Sequence, residues 1–164
     1  IPDDSDSQNQ NEKKVDEIEN IGALELEFWQ RFLEYAETSG SSLELRQKPM
    51  DRHYMNIGFG HSKIKLAMEI NRKEVNFQLV IYIHGPDHSK LYDTLVSKQK
   101  DIEKTIGLKL DWIPASMTKA DSDRIRYICY NAALSQKDKW GEIFAALINY
   151  AEKFILLKPI ADWV

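Results

Sequence analysis

Apolar residues in this chain change period several times, and each change marks an element. Around Leu24 to Tyr35, the positions Leu26, Phe28, Trp29, Phe32, Leu33 and Ala36 fall at the three-and-four spacing of one helical stripe. Glu25, Glu27 and Glu34 are then expected to face water, and Thr38-Ser39-Gly40-Ser41-Ser42 to end the helix. Leu43-Glu44-Leu45 alternates and reads as a short edge strand stopped by Pro49. Met55, Ile57 and Phe59 alternate with Tyr54, Asn56 and Gly58. After the turn Gly60-His61-Ser62 the period of two is clear. Ile64, Leu66, Met68 and Ile70 point one way, and Lys63, Lys65, Ala67 and Glu69 the other. Past the polar corner Asn71-Arg72-Lys73-Glu74, the spacing sends Val75, Phe77, Leu79, Ile81 and Ile83 inward. Asn76, Gln78, Val80, Tyr82 and His84 take the outer face.

Gly85-Pro86 interrupts this pattern, and Ser89 to Ile106 returns to helical spacing through Leu91, Tyr92, Leu95, Gln99, Ile102 and Ile106. Gly107 stands where a left-handed helix cap belongs. Leu108, Leu110 and Trp112 alternate as a strand, 114–123 reads as a polar loop, and Ile125, Tyr127 and Cys129 alternate with Arg124, Arg126 and Ile128 in a last strand. Ser135-Gln136-Lys137-Asp138 has the capping-box pattern. Behind it Trp140, Ile143, Phe144, Leu147, Ala151, Phe154 and Ile155 share one helical face, which Pro159 closes. The elements together predict an α+β fold of two layers: a twisted, mainly antiparallel sheet of about 4–5 strands with helices packed on one face.

Composition changes this picture mainly at the N-terminus. The chain has 164 residues, 43% of them hydrophobic, enough for one domain with a real core. Residues 1–24 carry seven acids and two bases, whereas the other 140 carry 19 acids and 20 bases. We therefore expect 1–23 to be an acidic, disordered linker or tail and 24–164 a single domain of nearly neutral charge. Val15, Ile18 and Ile21 add the spacing of a short amphipathic turn. The first residue is Ile rather than Met, which gives the expectation of a piece cut from a longer polypeptide. Cys129 is the single cysteine, so internal disulfides and all-cysteine metal sites are excluded, in keeping with a cytoplasmic location. No apolar run approaches membrane-spanning length, and neither a signal peptide nor an internal repeat is visible.

Several words of the chain recur in order and spacing in a known family. They are Phe28-Trp29-Gln30-Arg31-Phe32, Asn56-Ile57-Gly58-Phe59-Gly60, Leu95 through Lys100 with Ile102-Glu103, Gly107 through Pro114, Ser122-Asp123-Arg124-Ile125, and Trp140. Over roughly residues 24–160 the chain resembles a bacterial and archaeal domain-of-unknown-function family, often C-terminal to restriction-endonuclease-like domains. The family places Arg in a Gly-Arg-Ser-like turn where this chain has Gly60-His61-Ser62. The resemblance implies a domain working beside a nuclease-like partner and carries over no active site.

The residues themselves offer little catalysis. A restriction-type nuclease needs an Asp at a strand end and an acid-x-Lys pair on the next strand, to hold a metal and assist the attacking water. Asp51 with Glu69 and Lys73 comes nearest, but Lys73 lies four residues past Glu69 and beyond a corner. His84, Asp87 and His88 straddle Gly85-Pro86 without a third ligand, and Gly58-Phe59-Gly60 lacks the third glycine of a phosphate loop. We expect no catalytic residues, no metal and no cofactor. One surface remains. In the register above, Lys63, Lys65, Tyr82, Lys109, Arg124 and Arg126 share the outer sheet face, with Arg72 at its rim. Cations beside an exposed aromatic suit phosphates and a stacked base. Glu69 and Asp111 on the same face suit an ordinary solvated sheet equally well. The reading is a non-catalytic accessory domain of a nuclease-related or defence protein that contacts nucleic acid, with an upstream domain or a homodimer mate as a further partner. Two alternatives stand beside it: an interaction or dimerisation module anchored by Trp163, Val80 and Tyr82, and a divergent metal-dependent nuclease.

Overall fold

The structure is a computed structural model that describes residues 20–159. The expected acidic tail up to Glu19 and the anchor Trp163 lie outside the described residues. Helix α1 (Ile21–Thr38) begins inside the expected tail, so residues 21–23 belong to the folded part. Five strands follow: β1 (Tyr54–Ile57), β2 (Ile64–Asn71), β3 (Asn76–Ile83), β4 (Asp111–Ile113) and β5 (Asp123–Tyr130). Between β3 and β4 run α2 (His88–Val96) and α3 (Gln99–Ile106), and α4 (Ala115–Thr118) joins β4 to β5. A 3-10 turn at Lys137–Lys139 leads into α5 (Trp140–Ile155).

The strands form one open sheet in the order β1-β2-β3-β5-β4, every neighbour antiparallel. The fold is thus α+β. The alternation in β2 and β3 sends Ile64, Leu66, Met68, Ile70, Phe77, Leu79, Ile81 and Ile83 into one core with α1, α2, α3 and α5, so those helices cover a single face. The centre of that core is aromatic. Phe28 is fully buried, with ring centroids of Trp29, Phe77, Trp140 and Phe144 between 4.9 and 5.2 Å from its own.

Local chemistry explains where the elements depart from their expected bounds. Leu43–Leu45 is not a strand, although the segment runs beside β1: Gly58 N–H donates to Glu44 O at 2.9 Å and Asn56 N–H to Gln47 Oε1 at 2.9 Å. The approach is so close that a Cβ on Gly58 would meet Glu44 Cβ at 2.8 Å. The expected single helix 89–106 breaks at Ser97-Lys98, where Lys98 N–H donates to Leu95 O, three residues back instead of four. Gly107 closes α3 at φ 69°, its N–H on Glu103 O, as expected. Leu108 and Lys109 precede β4 instead of belonging to it. The capping box does not form: Ser135 caps nothing, and Gln136 Oε1 instead accepts from Ala133 N–H while the Trp140 indole pins Leu134 O at 2.8 Å. Val75 is not an inward strand residue. Asn71 pairs with Asn76 across the hairpin, so Val75 belongs to the turn, at φ 58° and 48% exposed.

Glu25 is the largest departure in burial. Expected in water, it is 4% exposed, because residues 21, 24, 25, 28 and 32 share the stripe of α1 that meets the sheet. Its Oε2 has no hydrogen-bond partner. Burial pushes its carboxyl above the usual range, against the opposing fields of Arg72 and His53. A carboxyl whose pKa rises on folding costs stability as pH climbs from its unfolded value through its folded one. Glu25→Leu is therefore expected to stabilise the fold by about 1–2 kcal/mol at neutral pH. The gain should shrink towards zero below the carboxylate range, as thermal melts of both proteins across pH will show.

Candidate nucleic-acid interface

The face of the sheet away from the helices is built as cross-strand rows. One row, from β2 to β4, is Lys65, Tyr82, Arg124 and Ile113; the next is Ala67, Val80, Arg126 and Asp111, continued by Asn56 on β1; the third is Tyr54, Glu69, Gln78 and Ile128. Directly opposed residues in adjacent strands touch through their side chains. The period of two in β2, β3 and β5 therefore decides which functional groups meet. A bulge shifts the register between Phe77 and Gln78, where Cys129 is the extra residue on β5. Burial pushes the Cys129 thiol up to about 12, which leaves it protonated and without nucleophilic character at neutral pH.

In the first row the Arg124 guanidinium lies over the Tyr82 ring, 5.4 Å from its centroid, with Nε buried and without a hydrogen-bond partner. The Tyr82 hydroxyl donates to Glu69 Oε2. Burial first, then the Glu69 charge, pushes the phenol far above its usual range, so Tyr82 stays a neutral aromatic platform. Lys65, on the other flank, is exposed and has no ion-pair partner among the described residues.

The second row is different. Arg126 donates to Glu74 Oε2 at 3.0 Å and to Asp111 Oδ2 at 3.2 Å, and Gln78 Nε2 reaches Glu74 at 2.9 Å and Asn76 Oδ1 at 2.7 Å. Burial raises the Glu74 carboxyl, but the Arg126, Asn76 and Gln78 hydrogen bonds outweigh it and hold the group below its usual range. These side chains close over the middle of the sheet, leaving Val80 and Ala67 each 2% exposed. Val80 is thus no exposed anchor for a partner, and Tyr82 is half-buried with its hydroxyl tied. Beside this network, Arg52 covers the Tyr54 ring at 4.5 Å, and His53 Nε2 stands 3.9 Å from Glu69.

The structure brings together Lys65, Tyr82 and Arg124, with Arg126 adjoining but already neutralised. Lys63 sits at the near end of β2, 3.7 Å from Asp87 in an exposed pair that salt will screen. Arg72 lies in the hairpin seven residues beyond Lys65, about 23 Å along the strand. Lys109 is exposed but lies off the sheet. Among the described residues no group of three His, Cys, Asp or Glu side chains is placed to share a metal ion. Asp51 lies in the loop before β1, near the N-terminal turn of α1. Two features were missed from sequence. Asp123, 3% exposed at its side chain, accepts from the Ala115 N–H at 2.7 Å and holds His88 Nδ1 at 2.7 Å. The partners are 8 and 35 residues away, beyond any periodic signal. The buried Glu25 did carry a signal, its place on the α1 stripe four residues before Trp29.

An open antiparallel five-stranded sheet, covered by helices on one face and presenting a cation–aromatic row on the other, defines the class: an α+β domain whose second sheet face carries no helix among the described residues. The chain belongs to the family described as domain of unknown function (DUF4268), whose family model matches residues 24–157. No curated protein and no solved structure matches it. Among the described residues no helix is long and apolar enough to cross a membrane.

Proposed function

We propose that this chain is a non-catalytic accessory domain of a larger nuclease-related or defence protein, and that it contacts nucleic acid through the sheet face opposite the helices. The observation that carries the reading is the row Lys65–Tyr82–Arg124, in which one aromatic ring stands between two cations that have no carboxylate partner among the described residues. A phosphate backbone running along the row meets both cations, and a base stacks on the Arg124 guanidinium, which itself lies over Tyr82. The association with a nuclease rests on the resemblance of the sequence words to the family. What supports a non-catalytic reading is that Asp51, Glu69 and Lys73 occupy a loop, a strand and a turn instead of two adjacent strands in acid-x-Lys spacing.

The test is a fluorescence-anisotropy titration with single- and double-stranded oligonucleotides at two salt concentrations. Binding in the micromolar range at low salt, weakening as salt rises and alike for all sequences, is the expected result. No binding at low salt removes the reading. The same oligonucleotides with Mg²⁺ or Mn²⁺ are expected to stay intact; metal-dependent cleavage lost on Glu69→Ala would restore the divergent nuclease.

A further inference from the structure

At the hairpin end of the sheet lies a cavity of about 330 Å³, between the first turn of α1, the β2–β3 turn and residues 132–135. Its walls are the apolar Ile21, Leu24, Ile70, Val75, Ala132 and Leu134, and Arg72 stands among them. This falls at the lower end of the size range of small-molecule sites, which pair apolar walls with a few polar groups.

Two features set the cavity apart from a packing gap. The first is Val75. A β-branched residue at φ 58° is strained, and glycine or asparagine would make the turn without that cost. The strained residue holds an isopropyl group, 48% exposed, at the edge of the cavity. Strain of this kind gathers at ligand clamps. The second is Arg72. Its field reaches the buried Glu25 carboxyl, yet it makes no ion pair among the described residues. It also lines an adjoining polar cavity with Lys73, so two cations stand together on the turn.

We propose that this cavity is a binding site for a small amphipathic anion: an apolar body between Ile21, Leu24, Val75 and Leu134, and a carboxylate on Arg72. The inference is independent of the nucleic-acid reading. The walls come from one helical turn, one hairpin and four residues of the segment after β5, which favours a ligand of about a dozen atoms over the ~800 Å² per partner of a stable protein interface.

The test uses octanoate and 1-octanol, titrated into the full chain and followed by methyl NMR. Shifts should centre on Ile21, Leu24, Val75 and Leu134, with octanoate binding about fivefold tighter than octanol, as for an exposed ion pair. Arg72→Gln should remove that preference and leave octanol unaffected. Val75→Gly should weaken both ligands and raise Tm by about 2–4 °C, because the strain goes with the side chain. Equal affinities for the two ligands, or no shifts up to the solubility limit, would overturn the proposal. So would shifts that grow with protein concentration, which would make a second copy of the chain the occupant.

Discussion

Phe28→Ala is expected to lower the unfolding free energy by about 3–5 kcal/mol, a large share of the 5–15 kcal/mol typical of a whole domain. Phe28 is fully buried, and its ring meets α1, the sheet and α5 together. It stacks on Phe77 of β3 at 25° between planes and meets Trp140 of α5 edge-on at 88°. Truncation removes the buried area and these ring contacts, and it leaves a cavity that neither layer can close without moving the other. Tm should fall by on the order of 10 °C. Chemical denaturation followed by tryptophan fluorescence measures the change directly, since Trp29 and Trp140 flank the site. A loss below about 1 kcal/mol would mean that the helices are not anchored to the sheet through this ring.

Asp123→Ala is expected to cost about 3 kcal/mol. The carboxylate accepts two bonds of 2.7 Å, from Ala115 N–H and from His88 Nδ1–H. An ionised carboxylate only accepts, so the facing ring nitrogen must carry the proton. Removing the carboxylate orphans a buried backbone donor at the start of α4 and releases the first residue of α2. Ala115 follows β4 and His88 begins α2, so two separate connections at the same end of the sheet loosen together. His88→Ala should cost less, because its side chain is 26% exposed and water can replace it. Thermal melts of the two variants separate these cases; equal losses would place the energy in the His88 contact alone.

How much of this was legible in the sequence depends on the range of the interaction. The alternation of Ile64, Leu66, Met68 and Ile70 against Phe77, Leu79, Ile81 and Ile83 is a local signal, and it gave the antiparallel pair and its inner face. The same signal carried Val75 one residue too far, because parity persists into a turn where backbone geometry takes over. Glu25 was assigned to water on polarity, although its position on the α1 stripe pointed inward. The candidate interface divides in the same way. Parity correctly placed Lys65, Tyr82 and Arg124 on one face, and it also placed Arg126 there. That Glu74 and Asp111 neutralise Arg126 depends on contacts 52 and 15 residues away, which no local pattern records. Lys109 was drawn into the sheet because Leu108 and Leu110 alternate, whereas only Asp111–Ile113 pair with β5.

We propose that the row Lys65–Tyr82–Arg124 contacts nucleic acid and that Arg126 does not. The slope of log affinity against log salt tests it most directly, because each phosphate contact contributes roughly 0.7–0.9. The double variant Lys65→Ala/Arg124→Ala is expected to lower that slope by about 1.5 and to weaken binding alike for every sequence. Arg126→Ala should leave the slope unchanged while lowering Tm, since it leaves Glu74 and Asp111 without their cation. A slope unmoved by the double variant, or lowered as much by Arg126→Ala, would mean that this row does not make the phosphate contacts.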